Sequence, residues 1–228
     1  MERGTELKPI AYIYTDFPEK FGIPRQSNLV EGLKGRIVFE PEYRSPEALR
    51  GLEEYDYLWL IWGFQETERE SWSPTVRPPR LGGNVRKGVF ATRSPFRPNP
   101  IGLSSVKLDE IIQTKAGPEI LVSGIDMRDR TPVYDIKPYL PWVDSHPEAR
   151  GGFARLVRDD CLEVDFPEGL MEAVPEEKRQ VLTEVLRQDP RPHYQKDAGR
   201  VYGFAFGCLN VRFVVDGTRL TVVTIEKR

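Results

Sequence analysis

Tyr57-Leu58-Trp59-Leu60-Ile61-Trp62-Gly63-Phe64 is the stretch on which the fold class turns. It is a continuous apolar, aromatic-rich run, the pattern of a strand covered on both faces. On its N-terminal side, residues 10–15 and 36–40 alternate β-favouring side chains with polar ones. On its C-terminal side, 104–113 and 119–124 read as a strand pair around the turn residues Lys115-Ala116-Gly117-Pro118. Between these strands, Ser45-Pro46-Glu47-Ala48-Leu49-Arg50-Gly51 carries a capping serine, a proline at the first helical position and a terminating glycine. That helix is too short to form a crossover layer. Without alternating strands and helices there is no parallel α/β sheet to build. The sequence predicts a mainly β fold, an antiparallel β-barrel or sandwich.

The pattern changes near residue 150. His146-Pro147-Glu148-Ala149-Arg150-Gly151-Gly152 is a polar, glycine-rich break of the kind that separates domains. Beyond it, 176–188 carries Val181, Leu182, Val185 and Leu186 at helical spacing, with acidic residues at the front and Pro175 at the first turn. Three short strands follow at 200–206, 209–215 and 219–225, the last two joined by the hairpin dipeptide Asp216-Gly217. The expected organisation is a barrel domain over 1–150 and a small α+β domain over 155–228. At 228 residues the chain is long enough for a real core and short enough for one main domain with an appendage.

Composition removes several classes. No apolar run approaches the length of a membrane helix, and Met1-Glu2-Arg3-Gly4-Thr5-Glu6 lacks the apolar core of a signal peptide, so a cytoplasmic protein is expected. Cys161 and Cys208 make no disulfide framework, and with only His146 and His193 beside them no zinc-ligand spacing forms. Gly83 and Gly88 stand at phosphate-loop spacing, but Val89 and Phe90 occupy the positions that such a loop gives to Lys and Ser or Thr. No G-x-G-x-x-G opens a helix after a strand, and no G-x-S-x-G elbow occurs. Rossmann cofactor binding and ordinary serine-hydrolase chemistry therefore have no support.

Charge is concentrated where the net value hides it. The chain carries a formal charge of −2, yet 71–108 holds Arg77, Arg80, Arg86, Lys87, Arg93, Arg97 and Lys107 with no acid, a local +7 that leaves −9 for the rest. An arginine-rich segment can face a polyanion, since the guanidinium fork suits phosphate and carboxylate, or it can be a solvated loop paired with acids elsewhere. Within it, 88–103 reads Gly-Val-Phe-Ala-Thr-Arg-Ser-Pro-Phe-Arg-Pro-Asn-Pro-Ile-Gly-Leu. Its three prolines stiffen the loop and hold Arg93, Arg97 and Asn99 at low entropic cost, either as a preorganised site or as a connection whose arginines cap carbonyls. Asp135, Lys137 and Tyr139 alternate and share one strand face, as an edge strand or as a site wall. Arg191 and Tyr194 could bind a phosphate and stack a base.

Together, G-V-F-A-T-R-S-P-F-R-P-N-P-I-G over 88–102, D-R-T-P-V-Y-D-I-K-P-Y-L-P over 129–141, P-R-Q over 24–26, Q-D-P-R-P-x-Y over 188–194 and T-V-R-P-P-R-L-G-G-N over 75–84 resemble the TrmO family of tRNA methyltransferases. The resemblance spans nearly the whole chain. It implies a β-barrel methyltransferase domain, a small C-terminal domain for tRNA recognition and a homodimer. It also implies methyl transfer from S-adenosylmethionine to N6 of N6-threonylcarbamoyladenosine at position 37 of threonine tRNAs. Carried over by position, the cofactor contacts are Pro24, Arg25, Gln26, Phe64, Gln65, Arg93, Leu103, Asp129, Arg130, Thr131 and Pro132. Two positions depart from the family pattern: Gln65-Glu66 stands where members show His-Gln, and Arg130 where they show Gly. The loop around Arg130 is expected to keep its backbone contacts provided that Arg130 stays at negative φ.

Methyl transfer from a sulfonium needs alignment and removal of one proton, because the cofactor brings the electrophile. Asp135 is the expected base, with Lys137 and Tyr139 orienting it or the threonyl carboxylate. Arg77, Arg80, Arg86, Lys87, Arg97, Asn99, Arg191 and Tyr194 are the expected tRNA contacts. Two other readings compete: a non-enzymatic RNA-binding protein, and a methyltransferase with a different acceptor.

Overall fold

A computed structural model describes residues 6–65, 71–78, 81, 84–153, 161–191, 197 and 199–228. The apolar run at the centre of the sequence becomes β3 (Tyr57–Gly63), and five more strands close a barrel around it: β1 (Ala11–Thr15), β2 (Lys34–Phe39), β6 (Ile101–Thr114), β7 (Gly117–Ser123) and β8 (Thr131–Pro138). Around the barrel the order is β1-β2-β7-β6-β3-β8, every pairing antiparallel. Period-two alternation sends Ile13, Ile37, Leu58, Leu60, Val106, Ile120, Val122 and Val133 inward, where each is fully buried. Each such side chain contributes about 1.5–3 kcal/mol on leaving water. Trp62 also turns inward, and Gly102 opposite it makes this possible: a Cβ at Gly102 would run into the indole.

Two short strands, β4 (Thr75–Val76) and β5 (Lys87–Gly88), form a ribbon beside the barrel. The segment expected as a short helix forms a 3-10 turn at Pro46–Leu49. After the barrel comes a one-turn helix, α1 (Pro141–Asp144). The C-terminal part holds β9 (Glu163–Asp165), α2 (Glu176–Arg187), β10 (Tyr202–Phe206), β11 (Leu209–Asp216) and β12 (Arg219–Lys227), with sheet order β10-β11-β12-β9. Gly217, at φ 56°, turns the β11–β12 hairpin. In α2, Glu176 and Glu177 occupy the first turn and Arg187 the last, each complementing the helix dipole. Its apolar stripe buries Leu182, Val185 and Leu186.

The barrel and the C-terminal part share one continuous apolar core. Phe17 meets Phe206 edge to face at 5.5 Å, Phe21 meets Phe204 at 6.4 Å, and Val181 of α2 packs over Gly32. Polar contacts reinforce the seam. Lys178 Nζ lies 2.6 Å from Asp16 Oδ1, Ala205 N–H donates to Glu19 Oε1, and Gly207 N–H donates to the carbonyl of Asp16. Among the described residues, no helix is long and apolar enough to cross a membrane.

Candidate functional site

The central strand organises the site. Side chains opposite one another in an antiparallel pair face the same way, so Leu60 shares the interior with Ser104 and Ile136, while Ile61 lies outside between Leu103 and Asp135. A bulge in the β3–β8 pairing between Ile61 and Trp62 gives Tyr134 no opposite residue, which brings Asp135 beside Ile61. Leu103, Ile61 and Asp135 therefore form one outer row, its ends about 10 Å apart across two strand spacings. The next row holds Ser105, Trp59 and Lys137.

Asp135, Lys137 and Tyr139 occupy this outer wall. Lys137 Nζ pairs with Asp135 Oδ2 at 3.0 Å, and the N–H of Ile136 donates to Asp135 Oδ1 at 2.9 Å. Tyr139, one residue past the end of β8, packs against Trp59 with ring centroids 5.5 Å apart and against Tyr57 at 6.3 Å. Asp144 closes the far end, accepting from Trp59 Nε1–H and from the N–H of Leu140. Those two donors, Leu140 first, hold the Asp144 carboxyl below the usual carboxylate range.

The residues expected to hold the cofactor fall into separate contact groups. Arg93 Nη1 donates to Gln26 Oε1, joining the loop after β1 to the proline-stiffened loop before β6. Gln65 Nε2 donates to the carbonyl of Arg130 at 2.6 Å, tying the end of β3 to the loop before β8. Phe64 meets Trp62 edge to face at 4.3 Å. Asp129 Oδ1 accepts from the N–H of Thr15, and the Thr131 hydroxyl donates to the carbonyl of Arg128, so both brace the loop. Pro132 enters the barrel pairing opposite Tyr12. Pro24 and Arg25 lie at the seam with the C-terminal part, where Arg25 Nη2 donates to the carbonyl of Arg191 at 3.0 Å. They line a cleft with Val185 and Asp189.

Three expectations need correction. Arg130 takes φ 58°, in the left-handed region, so the loop keeps the shape that glycine would adopt and holds an arginine there under strain. Its guanidinium points away from the barrel, with 76% of the side chain exposed. Arg97 does not reach outward for a phosphate but donates to the carbonyls of Thr92 and Ser94, bracing its own loop. Arg191 forms a fork on both carboxylate oxygens of Asp189 at 2.8 and 3.0 Å, with only 13% of its side chain exposed. Of the remaining expected tRNA contacts, Arg77, Arg86 and Asn99 are exposed and Lys87 is half-buried on β5. Arg86 Nη1 donates to the Thr75 hydroxyl. Arg80 and Tyr194 lie outside the described residues.

One group was not singled out by the sequence. Ser104 Oγ lies 2.7 Å from Asp126 Oδ1, and Trp62 Nε1–H donates to the same hydroxyl at 3.1 Å. The hydroxyl proton can therefore go to the carboxylate while the indole serves the oxygen. Burial pushes the Asp126 carboxyl up to about 6, against smaller opposing pulls from the Ser104 hydroxyl, the N–H of Ser27, its own N–H and the charge of Arg93. Among the expected contacts Arg93 offers a guanidinium, Gln26 and Gln65 carboxamides and Phe64 a half-buried phenyl ring, and Asp126 adds a carboxylate, the kinds of group that bind a small zwitterion carrying a flat base. Gln65 Oε1 adds a buried acceptor without a hydrogen-bond partner among the described residues. Such an acceptor suits a ligand's hydroxyl or amino group.

A closed antiparallel barrel with a charged, loop-built site at one end of its central strand defines a β-barrel methyltransferase of the non-Rossmann type, and the solved structures of similar architecture agree. The family model for the tRNA-methyltransferase O N-terminal domain matches residues 12–145, and the TrmO C-terminal domain model matches 159–228. The chain belongs to the TrmO family. It is 41% identical to the tRNA (adenine(37)-N6)-methyltransferase of Escherichia coli K12 over 231 residues, covering 98% of each chain. It is 40% identical over 215 residues to a Pseudomonas aeruginosa protein provisionally named an S-adenosylmethionine-dependent methyltransferase, RcsF, covering 91% of each. The crystal structure of TrmO from Pseudomonas aeruginosa superposes with a TM-score of 0.81 at 32% identity, over 100% of this chain and 99% of that one.

Proposed function

We propose that this protein transfers a methyl group from S-adenosylmethionine to N6 of N6-threonylcarbamoyladenosine at position 37 in the anticodon loop of threonine tRNAs. In coarser terms it is an S-adenosylmethionine-dependent tRNA (adenine-37 N6) methyltransferase, as its family membership and full-length relatives support. The observation that carries the reading is the outer row Leu103–Ile61–Asp135, which sets Leu103 and the Asp135–Lys137 pair on one face of the barrel. When bound, S-adenosylmethionine supplies an electrophilic methyl on a sulfonium, so the protein's part is alignment and proton removal.

Gln26, Phe64, Gln65, Arg93, Leu103 and the 129–132 loop hold the cofactor, with Pro24 and Arg25 supporting the loop that carries Gln26. Asp135 accepts the N6 proton, and Lys137 holds its carboxylate in place while offering a charge to the threonyl carboxylate. Tyr139, packed at a tilt against Trp59 of the same wall, limits where the base can lie. Arg77, Arg86 and Lys87 meet the anticodon-stem phosphates, so tRNA affinity falls steeply between about 50 and 200 mM salt. The protein works in the cytoplasm as a homodimer. The exposed apolar pair Trp142 and Val143 on α1, 80% and 54% exposed, supports the dimer.

The test is incubation with S-adenosylmethionine and tRNA from cells lacking the activity, followed by mass spectrometry of the nucleosides. One methyl gained on N6-threonylcarbamoyladenosine, and none on tRNA lacking that modification, is the expected result. Methylation of another nucleoside would replace the acceptor. Asp135→Asn is expected to lower kcat by about 100-fold or more with cofactor affinity unchanged, the scale of a lost general base.

A further inference from the structure

Asp126 is a half-buried carboxylate that makes no ion pair among the described residues. Its immediate neighbours are neutral: the Ser104 hydroxyl on β6, which Trp62 of β3 also contacts, and the N–H of Ser27 in the loop after β1. Among the described residues the charge that acts on it is that of Arg93, from the proline-stiffened loop, through space while its guanidinium is engaged with Gln26. Ser27, whose N–H serves the Asp126 carboxylate, follows Gln26, whose carboxamide holds Arg93, so a carboxylate and a guanidinium bear on the same two residues of one loop. Burying an uncompensated carboxylate is costly, so a cationic occupant would repay it.

We infer that Asp126 is the cofactor's cation subsite: it takes the α-ammonium of the methionyl part of S-adenosylmethionine while Arg93 takes the α-carboxylate. This rests on the methyltransferase reading. It explains why the site keeps a buried acid that an apolar or amide side chain would relieve. Because the folded carboxyl is raised, its neutral form is the favoured one, and stability is lost as pH rises through about 6. Asp126→Asn, which keeps an acceptor for Ser104 and removes the charge, should therefore melt at or above the wild-type temperature at pH 7.5.

The experiment compares binding of S-adenosylhomocysteine and 5′-methylthioadenosine, which share the nucleoside and thioether but differ in the amino-acid head, by calorimetry on the full chain. The wild type should prefer S-adenosylhomocysteine, and Asp126→Asn should lose about tenfold or more of that preference while binding 5′-methylthioadenosine as before. Wild-type affinity for S-adenosylhomocysteine should also fall as pH is lowered through about 6, and Ser104→Ala, which keeps the carboxylate but removes a pull that lowers its pKa, should move that midpoint upward. The midpoint shift tests the subsite even if Asp126→Asn does not fold. An unchanged ligand preference in folded Asp126→Asn, or a pH-independent wild-type affinity, overturns the subsite and leaves the methyltransferase intact. A wild type that binds neither ligand overturns the cofactor assignment itself, and the subsite with it.

Discussion

Arg130 shows how a departure from a family pattern can leave a backbone unchanged. The loop between Asp126 and β8 needs a left-handed residue, and arginine supplies it at φ 58° with its side chain turned to solvent. The position costs a non-glycine residue about 1–2 kcal/mol, while glycine would cost about 0.5–1 kcal/mol in chain entropy. Arg130→Gly is therefore expected to raise stability by about 0.5–1 kcal/mol, read as a higher midpoint in urea with an unchanged slope. Loss of stability would mean that the Asp129–Arg130 ion pair at 3.8 Å matters more than the strain. Asp126 shows the opposite case, a residue whose importance no local pattern carries. Its hydroxyl partner stands 22 positions earlier and its Ser27 donor lies in the loop after β1, so only the folded barrel reveals it.

Elements were legible in proportion to their length and to the locality of their pairing. β1, β2, β3, β6 and β7 could be read because alternation or an apolar run persists over five or more residues. The β11–β12 hairpin was announced by Asp216-Gly217. β4 and β5, with two residues each, are too short to show a period, and β9 gains strand geometry only by pairing in parallel with β12 more than fifty residues later. The bulge opposite Ile61 was equally hidden, although it decides which side chain of β8 joins the outer row. At the end of that row, α1 depends on one carboxylate. Asp144 has a depressed pKa, so the stability it lends is present above the ordinary carboxylate value and is lost as pH falls through the lower folded one. Acid should then release the Trp59 indole N–H from Asp144, seen as a shift of that NMR resonance below about pH 4. A resonance that stays fixed while the barrel remains folded would show that α1 is held by other means.

For the molecule as a whole, the shared core makes the C-terminal part a structural partner of the barrel. Deleting everything beyond about residue 155 would uncover Phe17, Phe21 and Gly32, so truncation cannot separate cofactor binding from tRNA recognition cleanly. All four tryptophans lie between residues 59 and 142, so their fluorescence reports the N-terminal part of the chain. Phe206→Ala, a change in the C-terminal sheet, should cost about 3–5 kcal/mol and lower the tryptophan-detected and circular-dichroism transitions together. Two separated transitions would mean that the halves unfold independently despite their contacts.

Barrel closure has a consequence for synthesis. β1 completes the ring by pairing with β8, Ala11 opposite Val133, about 120 residues further along the chain. At roughly 5–20 residues per second, the ribosome delivers that partner about 6–24 s after β1 is made. Throughout that interval the nascent chain presents one unpaired side of β1 to whatever it meets. The newborn protein is therefore most exposed to chaperones, and to neighbouring nascent copies, before its own eighth strand arrives.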